Sequence, residues 1–292
     1  MLAASGTFAY GIEMDSLVDW PWVGGYVVKG LSREPLEGNP APRLYETAAG
    51  MMNSVGLQNI GVRAFVNEKL PHLGHLHTPA FANVFGYSVE DYCEVISVLE
   101  DAEGVAGYEL NVSCPNTKHG GMMFSSDPVL LAEVVAAVKK RARRPVIVKL
   151  SPNVAAIEPL AKAAEDAGAD AISLINTLVA LAIDARTRRP RIGAGFGGLS
   201  GPAIKPLALR MVYQAARAVR IPVIGIGGIA SGEDAAEFLI AGASAVEVGT
   251  ANFWDPGSVP RIARQLDRFL RKQGIEQAAE LIGTLKFGDK RS

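Results

Sequence analysis

Eight short apolar runs recur along the chain, at Met1–Ala4, Tyr26–Val28, Ala80–Val84, Tyr108–Val112, Val146–Leu150, Ala171–Ile175, Val223–Ile226 and Ala245–Val248. Their shortness suits strands better than helices, and their near-continuous hydrophobicity is that of parallel strands covered on both faces. The stretches between them read differently. Leu130–Ala142, Ala155–Ala167, Ala203–Val219 and Ala235–Ala241 repeat apolar residues at helical spacing. Ser88 with Asp91, and Ser231 with Asp234, have the spacing of capping boxes, and Asp127-Pro128 sets a cap residue before a proline at the first helical position. Strand and helix alternating eight times predict an α/β fold, a (β/α)8 TIM barrel occupying residues 1–292 as one domain. Leu31–Thr78 is too long for a single crossover and is the one irregularity, expected to arch as an insertion over the C-terminal face.

In such a barrel the chemistry sits at the C-terminal ends of the strands. Here those ends carry Ser5-Gly6, Lys29-Gly30, Asn83 with Gly86, Asn111 with Cys114 and Asn116, Lys149, Asn176-Thr177, Gly227-Gly228 and Gly249-Thr250. Lysine and asparagine are poor core residues unless paired, so their recurrence at one end predicts a polar site. The glycine pairs after the last two strands, one of them followed by the Ser231 cap, predict backbone amides arranged for a phosphorylated cofactor. Lys149 projects from mid-barrel and needs an anionic partner, either the pyrimidine edge of a reduced flavin or a structural acid. Cys114 admits two readings, a small inert hydrophobe or a proton acceptor flanked by Asn111 and Asn116.

One competing motif is present. Gly225-Ile226-Gly227-Gly228-Ile229-Ala230 satisfies G-x-G-x-x-A, with Glu247 near the place of a ribose-binding acid. It follows six strand–helix steps, whereas a dinucleotide-binding fold normally begins with it, so the barrel reading is kept.

Composition sharpens the picture. A chain of 292 residues, 49% of them hydrophobic, can bury a large core. A net charge of -1 and the lack of a long basic block give no electrostatic basis for binding nucleic acid or an anionic membrane. Two cysteines can neither form a disulfide framework nor supply the four thiolates of an iron–sulfur cluster. No uninterrupted apolar run reaches about 18 residues. The first residues lack the basic flank of a signal peptide, so a cytoplasmic protein is expected.

The residues resemble the dihydroorotate dehydrogenases over nearly the whole chain. The likeness is carried by Ala4-Ser5-Gly6-Thr7-Phe8, Val28-Lys29-Gly30, Gly38-Asn39-Pro40 and Asn53-Ser54-Val55-Gly56-Leu57-Gln58-Asn59. It continues through Glu109–Asn116, Val148–Asn153, Ile175–Leu178, Gly197–Pro206 and Gly225–Ile229. It implies an FMN-dependent barrel that oxidises dihydroorotate to orotate in pyrimidine biosynthesis. Cys114 would be the base taking the C5 proton while hydride leaves C6 for FMN. Lys29, Asn53, Gly56, Leu57, Asn111, Asn116, Asn176 and Thr177 would bind the substrate. Ser5, Gly6, Lys29, Asn83, Asn111, Lys149, Ile175, Gly201, Gly227, Gly228, Gly249 and Thr250 would bind FMN. The Pro115–Phe124 loop, hinged at Gly120-Gly121, would close as a lid.

Cysteine at 114 is similar to the class 1 enzymes, and Asn176-Thr177-Leu178 with Gly197–Pro202 looks like subtype B. That subtype implies a homodimer and a second subunit, carrying FAD and a 2Fe–2S cluster, that passes electrons to NAD. The alternatives are a subtype A enzyme using fumarate, uracil reduction of the dihydropyrimidine dehydrogenase kind, and a flavin-binding barrel that has lost catalysis. Because Met1 falls inside the first strand, the family's N-terminal hairpin is expected to be missing. His72, His75 and His77 are expected to be a solvated loop with no metal, Cys93 to pack within a helix, and Arg141, Arg143 and Arg144 to form a solvated helix end.

Overall fold

Why the eight apolar runs become one sheet is visible in the computed structural model, which describes residues 1–113 and 123–288 and the backbone of 115–116 and 122. The barrel strands are β1 (Leu2–Ala3), β2 (Gly25–Val27), β3 (Ala80–Val84), β4 (Gly107–Asn111), β5 (Val146–Leu150), β6 (Ala171–Leu174), β7 (Val223–Ile226) and β8 (Ala245–Val248). Each pairs in parallel with its sequence neighbours, and β8 pairs with β1 to close the ring. Closure removes both sheet edges, so all eight short strands have their ladders satisfied. Each strand lies within a residue or two of its apolar run.

Side chains alternate across every strand. One set, including Tyr108, Leu110, Val148, Leu150, Ile172 and Leu174, joins the large core shared with the helices. The other set fills the barrel in layers. Phe81, Ile147, Ala171, Ile224 and Ala245 form a small apolar cluster of their own. Two residues further along their strands come Asn83, Lys149, Ser173 and Glu247, joined by Glu109 of β4, and all five are buried. The barrel is therefore plugged by an apolar layer with a polar layer stacked on it.

The outer helices are α1 (Val89–Glu100), α2 (Pro128–Lys139), α3 (Glu158–Asp166), α4 (Lys205–Ala218), α5 (Gly232–Ala241) and α6 (Ser258–Gln273). The expected cap residues all accept from their helices, but the Ser88–Asp91 box is only half made, Asp91 Oδ2 accepting from Tyr87 N–H instead. Ser88 Oγ accepts from Asp91 N–H, Asp127 Oδ1 from Val129 and Leu130, and Ser231 with Asp234 makes a full capping box. Gly232 is required by close helix contact, because a Cβ there would stand 2.4 Å from the backbone of Gln265 in α6. No helix among the described residues is long and apolar enough to cross a membrane.

Three expectations need correction. Strand and helix do not alternate fully eight times: β1 and β2 are joined by two 3-10 turns, Ile12–Leu17 and Trp20–Trp22. Residues 31–78 are not the one irregularity, because a second excursion, 178–200, leaves the barrel after β6. Leu178–Leu181 and Phe196–Ser200 of that excursion pair with Gly50–Asn53 and Leu44–Thr47 of the first in a four-stranded antiparallel sheet. Finally, Arg143 and Arg144 are not merely a solvated helix end. Arg143 Nε donates to Glu100 Oε2 at 2.9 Å, and Arg144 donates to the carbonyls of Leu99 and Ala102 and to the Tyr108 hydroxyl. They clamp the C-terminus of α1 to the start of β4 and β5.

Candidate active site

A cavity of about 540 Å³ opens at the C-terminal end of the barrel, a size suited to a small-molecule site. Its floor is the top of the polar layer, its rim the β1, β7 and β8 glycine turns, and one wall the sheet built by the two excursions. Among the expected substrate residues, Lys29, Asn53, Gly56, Leu57, Asn111, Asn176 and Thr177 all line it. Among the expected cofactor residues, so do Ser5, Gly6, Asn83, Lys149, Ile175, Gly201, Gly227, Gly228, Gly249 and Thr250. Cys114, the Asn116 side chain and the Gly120-Gly121 hinge lie outside the described residues.

The wall is organised by asparagines. Asn176 Nδ2 donates to Asn111 Oδ1 at 3.2 Å and to Ser113 Oγ at 3.0 Å, while its own oxygen accepts from Thr177 N–H at 2.7 Å. Asn153 Nδ2 then holds the Thr177 carbonyl, and Asn53 Nδ2 reaches the Gly198 carbonyl across the excursion sheet. The Asn53–Leu57 turn depends on left-handed backbone at Gly56 (φ 75) and Leu57 (φ 57). A Cβ on Gly56 would stand 2.4 Å from Asn39 N, so glycine is needed for close approach as well as for φ. Lys29 is half-buried, and burial, helped by the nearby Arg43 charge, pulls its ammonium below the ordinary lysine value.

The floor carries charge. Lys149 Nζ donates to Glu109 Oε1 at 3.2 Å and stands 3.8 Å from Glu247 Oε2. Glu109 also accepts from Asn83 Nδ2 at 2.7 Å and Ser173 Oγ at 2.8 Å. Burial alone would lower the Lys149 ammonium, but the two carboxyls raise it above its ordinary value. Lys149 thus has the structural acid foreseen as one alternative, and it lines the cavity as well. Sequence reasoning missed Glu109, Ser173 and Glu247 as site-supporting residues. The available signal was a charged or hydroxyl side chain in the middle of an apolar strand.

At the opposite rim the backbone N–H groups of Gly228, Ile229 and Thr250, all lining the cavity, find no hydrogen-bond partner among the described residues. Backbone N–H groups left without a protein acceptor suit an anion, and a phosphate placed here would supply the acceptors. Gly228 is left-handed (φ 76), and a Cβ on it would come 2.9 Å from the Gly201 carbonyl oxygen. A rim of free amides, a lysine in the floor and an asparagine wall together fit a phosphorylated cofactor and a small polar substrate. The histidine loop lies elsewhere: His75 Nε2 is 3.0 Å from Asp15 Oδ2, and no metal-holding cluster occurs among the described residues.

The sequence profile of the family described as dihydroorotate dehydrogenase matches residues 1–270. A protein of Solibacter usitatus that carries the provisional name dihydroorotate dehydrogenase A (fumarate) is 74% identical, the match covering 98% of this chain and 94% of the relative. Proteins of Citrifermentans bemidjiense and Geobacter metallireducens, both named dihydroorotate dehydrogenase B (NAD(+)), catalytic subunit, are each 53% identical over the same shares.

Proposed function

The chain belongs to the dihydroorotate dehydrogenase family, and from that premise we propose that it oxidises dihydroorotate to orotate with FMN as its resident cofactor. The observation that carries this reading is the convergence on one cavity of every expected site residue within the described part of the chain. FMN, when bound, supplies the ring that accepts the C6 hydride.

The chain's own residues do the rest. Gly228, Ile229 and Thr250 would hold the cofactor's phosphate through backbone N–H groups. Lys149 would offer the bound cofactor positive charge. Asn53, Asn111, Asn116 and Asn176 orient the substrate ring, and Lys29 offers its carboxylate a cation. Cys114 takes the C5 proton as general base. A free thiol ionises near pH 8.5, so the rate of flavin reduction rises with pH through the range where Cys114 becomes a thiolate.

Electrons then pass to NAD through an FAD- and iron–sulfur-bearing partner subunit. The relatives named as catalytic subunits of the NAD(+) enzyme support this route. The name of the Solibacter relative favours a second reading, in which fumarate is the acceptor and no partner is needed.

The purified protein is expected to be yellow and to bleach anaerobically with dihydroorotate. A colourless protein, or one bleached only by dihydrouracil, would overturn the assignment. NAD reduction is expected only once the partner is added, and efficient fumarate turnover by this chain alone would select the second reading.

A further inference from the structure

Below the cavity floor the barrel holds two carboxyl groups and one ammonium away from water. Glu109 and Glu247 are 0% exposed and Lys149 is 6% exposed. The two acids are not equivalent. Glu109 accepts hydrogen bonds from Asn83, Ser173 and Lys149, three donors around one carboxylate. Neither oxygen of Glu247 has a hydrogen-bond donor among the described residues. Across its own ladder Glu247 is in register with Leu2 of β1 and Ile226 of β7. The charged groups that face it are Glu109 from β4 and Lys149 from β5.

Two ionised carboxylates sharing one ammonium would leave this dry layer with a net negative charge, which an interior without water does not stabilise. A single proton removes the imbalance. It belongs on the acid with no donors, because a neutral carboxyl has a hydrogen to give and Glu109 is the acceptor beside it.

We infer that Glu247 is a neutral carboxylic acid at physiological pH, that its proton is donated to Glu109, and that it thereby sets the charge of the layer beneath the cavity. Burial first, then the neighbouring Glu109 charge, drive the Glu247 carboxyl well above the usual range, and Lys149 only partly opposes them. With Glu247 neutral, the layer totals zero rather than one negative charge, so an anion developing in the cavity above is not repelled from below. The charge state concerns the chain's own residues and holds whatever the cavity binds. Its effect on a reduced flavin rests on the function proposed above.

Glu247→Gln matches a protonated acid in shape and neutrality, and its comparison with the natural chain tests the inference. Above about pH 4.3 the unfolded chain releases the Glu247 proton while the folded chain keeps it, so the natural protein loses stability as pH rises and Glu247→Gln does not. Denaturant titrations of both flavin-loaded proteins between about pH 5 and 8 should show the ratio of their folding constants moving in favour of Glu247→Gln by about tenfold per pH unit. A ratio independent of pH would mean an ionised Glu247 and overturn the proposal. The midpoint potential of the bound flavin should be the same in both proteins at neutral pH, whereas removal of a buried negative charge would raise it. If the variant fails to fold, the infrared spectrum of the natural protein decides. A protonated-carboxyl stretch that persists at neutral pH and shifts with carbon-13 glutamate is expected, and its absence refutes the inference. Failure to bind flavin would remove the potential measurement and count against the proposed function, and the denaturant comparison is then made on both proteins without flavin.

Discussion

Replacing Lys149 by methionine removes the cation of the polar layer while keeping an unbranched stem of similar length. Glu109 would then be fully buried with neutral donors alone, Asn83, Ser173 and the protonated Glu247 inferred above. A buried carboxylate without a cation is neutralised by taking up a proton when that is cheaper than staying charged. At pH 7 that uptake costs about 1.36 kcal/mol for each unit above the ordinary glutamate value of about 4.3, or about 3.7 kcal/mol, which is the ceiling on the loss. The gain from burying the methionine instead of a charged amine reduces it, so a loss of about 2–4 kcal/mol is expected. The sign of the pH dependence follows from the same proton. In the variant the folded state keeps one proton more than the natural folded state does, and the unfolded chain releases it above about pH 4.3. The deficit is therefore largest in alkaline solution and shrinks by about 1.4 kcal/mol per unit as pH falls toward 5. Urea unfolding of both proteins at several pH values measures it. A deficit that does not change with pH would refute the reasoning, because Lys149 would then be compensating no buried charge.

Cys114→Ala should retain flavin but slow its reduction by dihydroorotate at least about a hundredfold, read by anaerobic stopped flow; undiminished reduction would remove Cys114 from the mechanism. Gly228→Ala forces left-handed alanine, at about 1–2 kcal/mol, against the Gly201 carbonyl. Fluorescence titration should show flavin affinity weakened about tenfold, and an unchanged Kd would exclude this turn from the cofactor site. Burial alone would raise the Glu100 carboxyl, but hydrogen bonds from Arg143, Tyr108 and Arg144 bring it down to about 2. Glu100→Gln should therefore cost about 1–3 kcal/mol at neutral pH, and the gap should close as the solution is acidified from about pH 5 toward 2, because the carboxylate's contribution is present above its unfolded value and lost below. Equal stability at pH 7 would mean that the clamp contributes nothing.

Much of this fold was legible locally. The strand runs were found because a strand covered on both faces must be apolar along its length, and Ser88, Asp127 and Ser231 were found because a cap satisfies amides only a few residues away. The excursion sheet was not legible. Leu178–Leu181 pairs outside the barrel, and its sheet is completed by Gly50–Asn53, more than a hundred residues earlier. By sequence alone Arg144 is indistinguishable from a solvated residue, because its acceptors, the carbonyls of Leu99 and Ala102, come from the end of another helix.

The polar layer divides the two kinds of information most clearly. That Glu109, Lys149 and Glu247 interrupt apolar strands was written in the sequence, and Lys149 was singled out there for its need of an anion. Which anion, and how many, was decided only when the barrel closed. Adjacent strands β4 and β5 and the more distant β8 all turn these side chains into its interior, so three residues far apart in the chain share one water-free volume. Periodicity and residue type fix which side chains point inward, but the balance of charge depends on which of them meet.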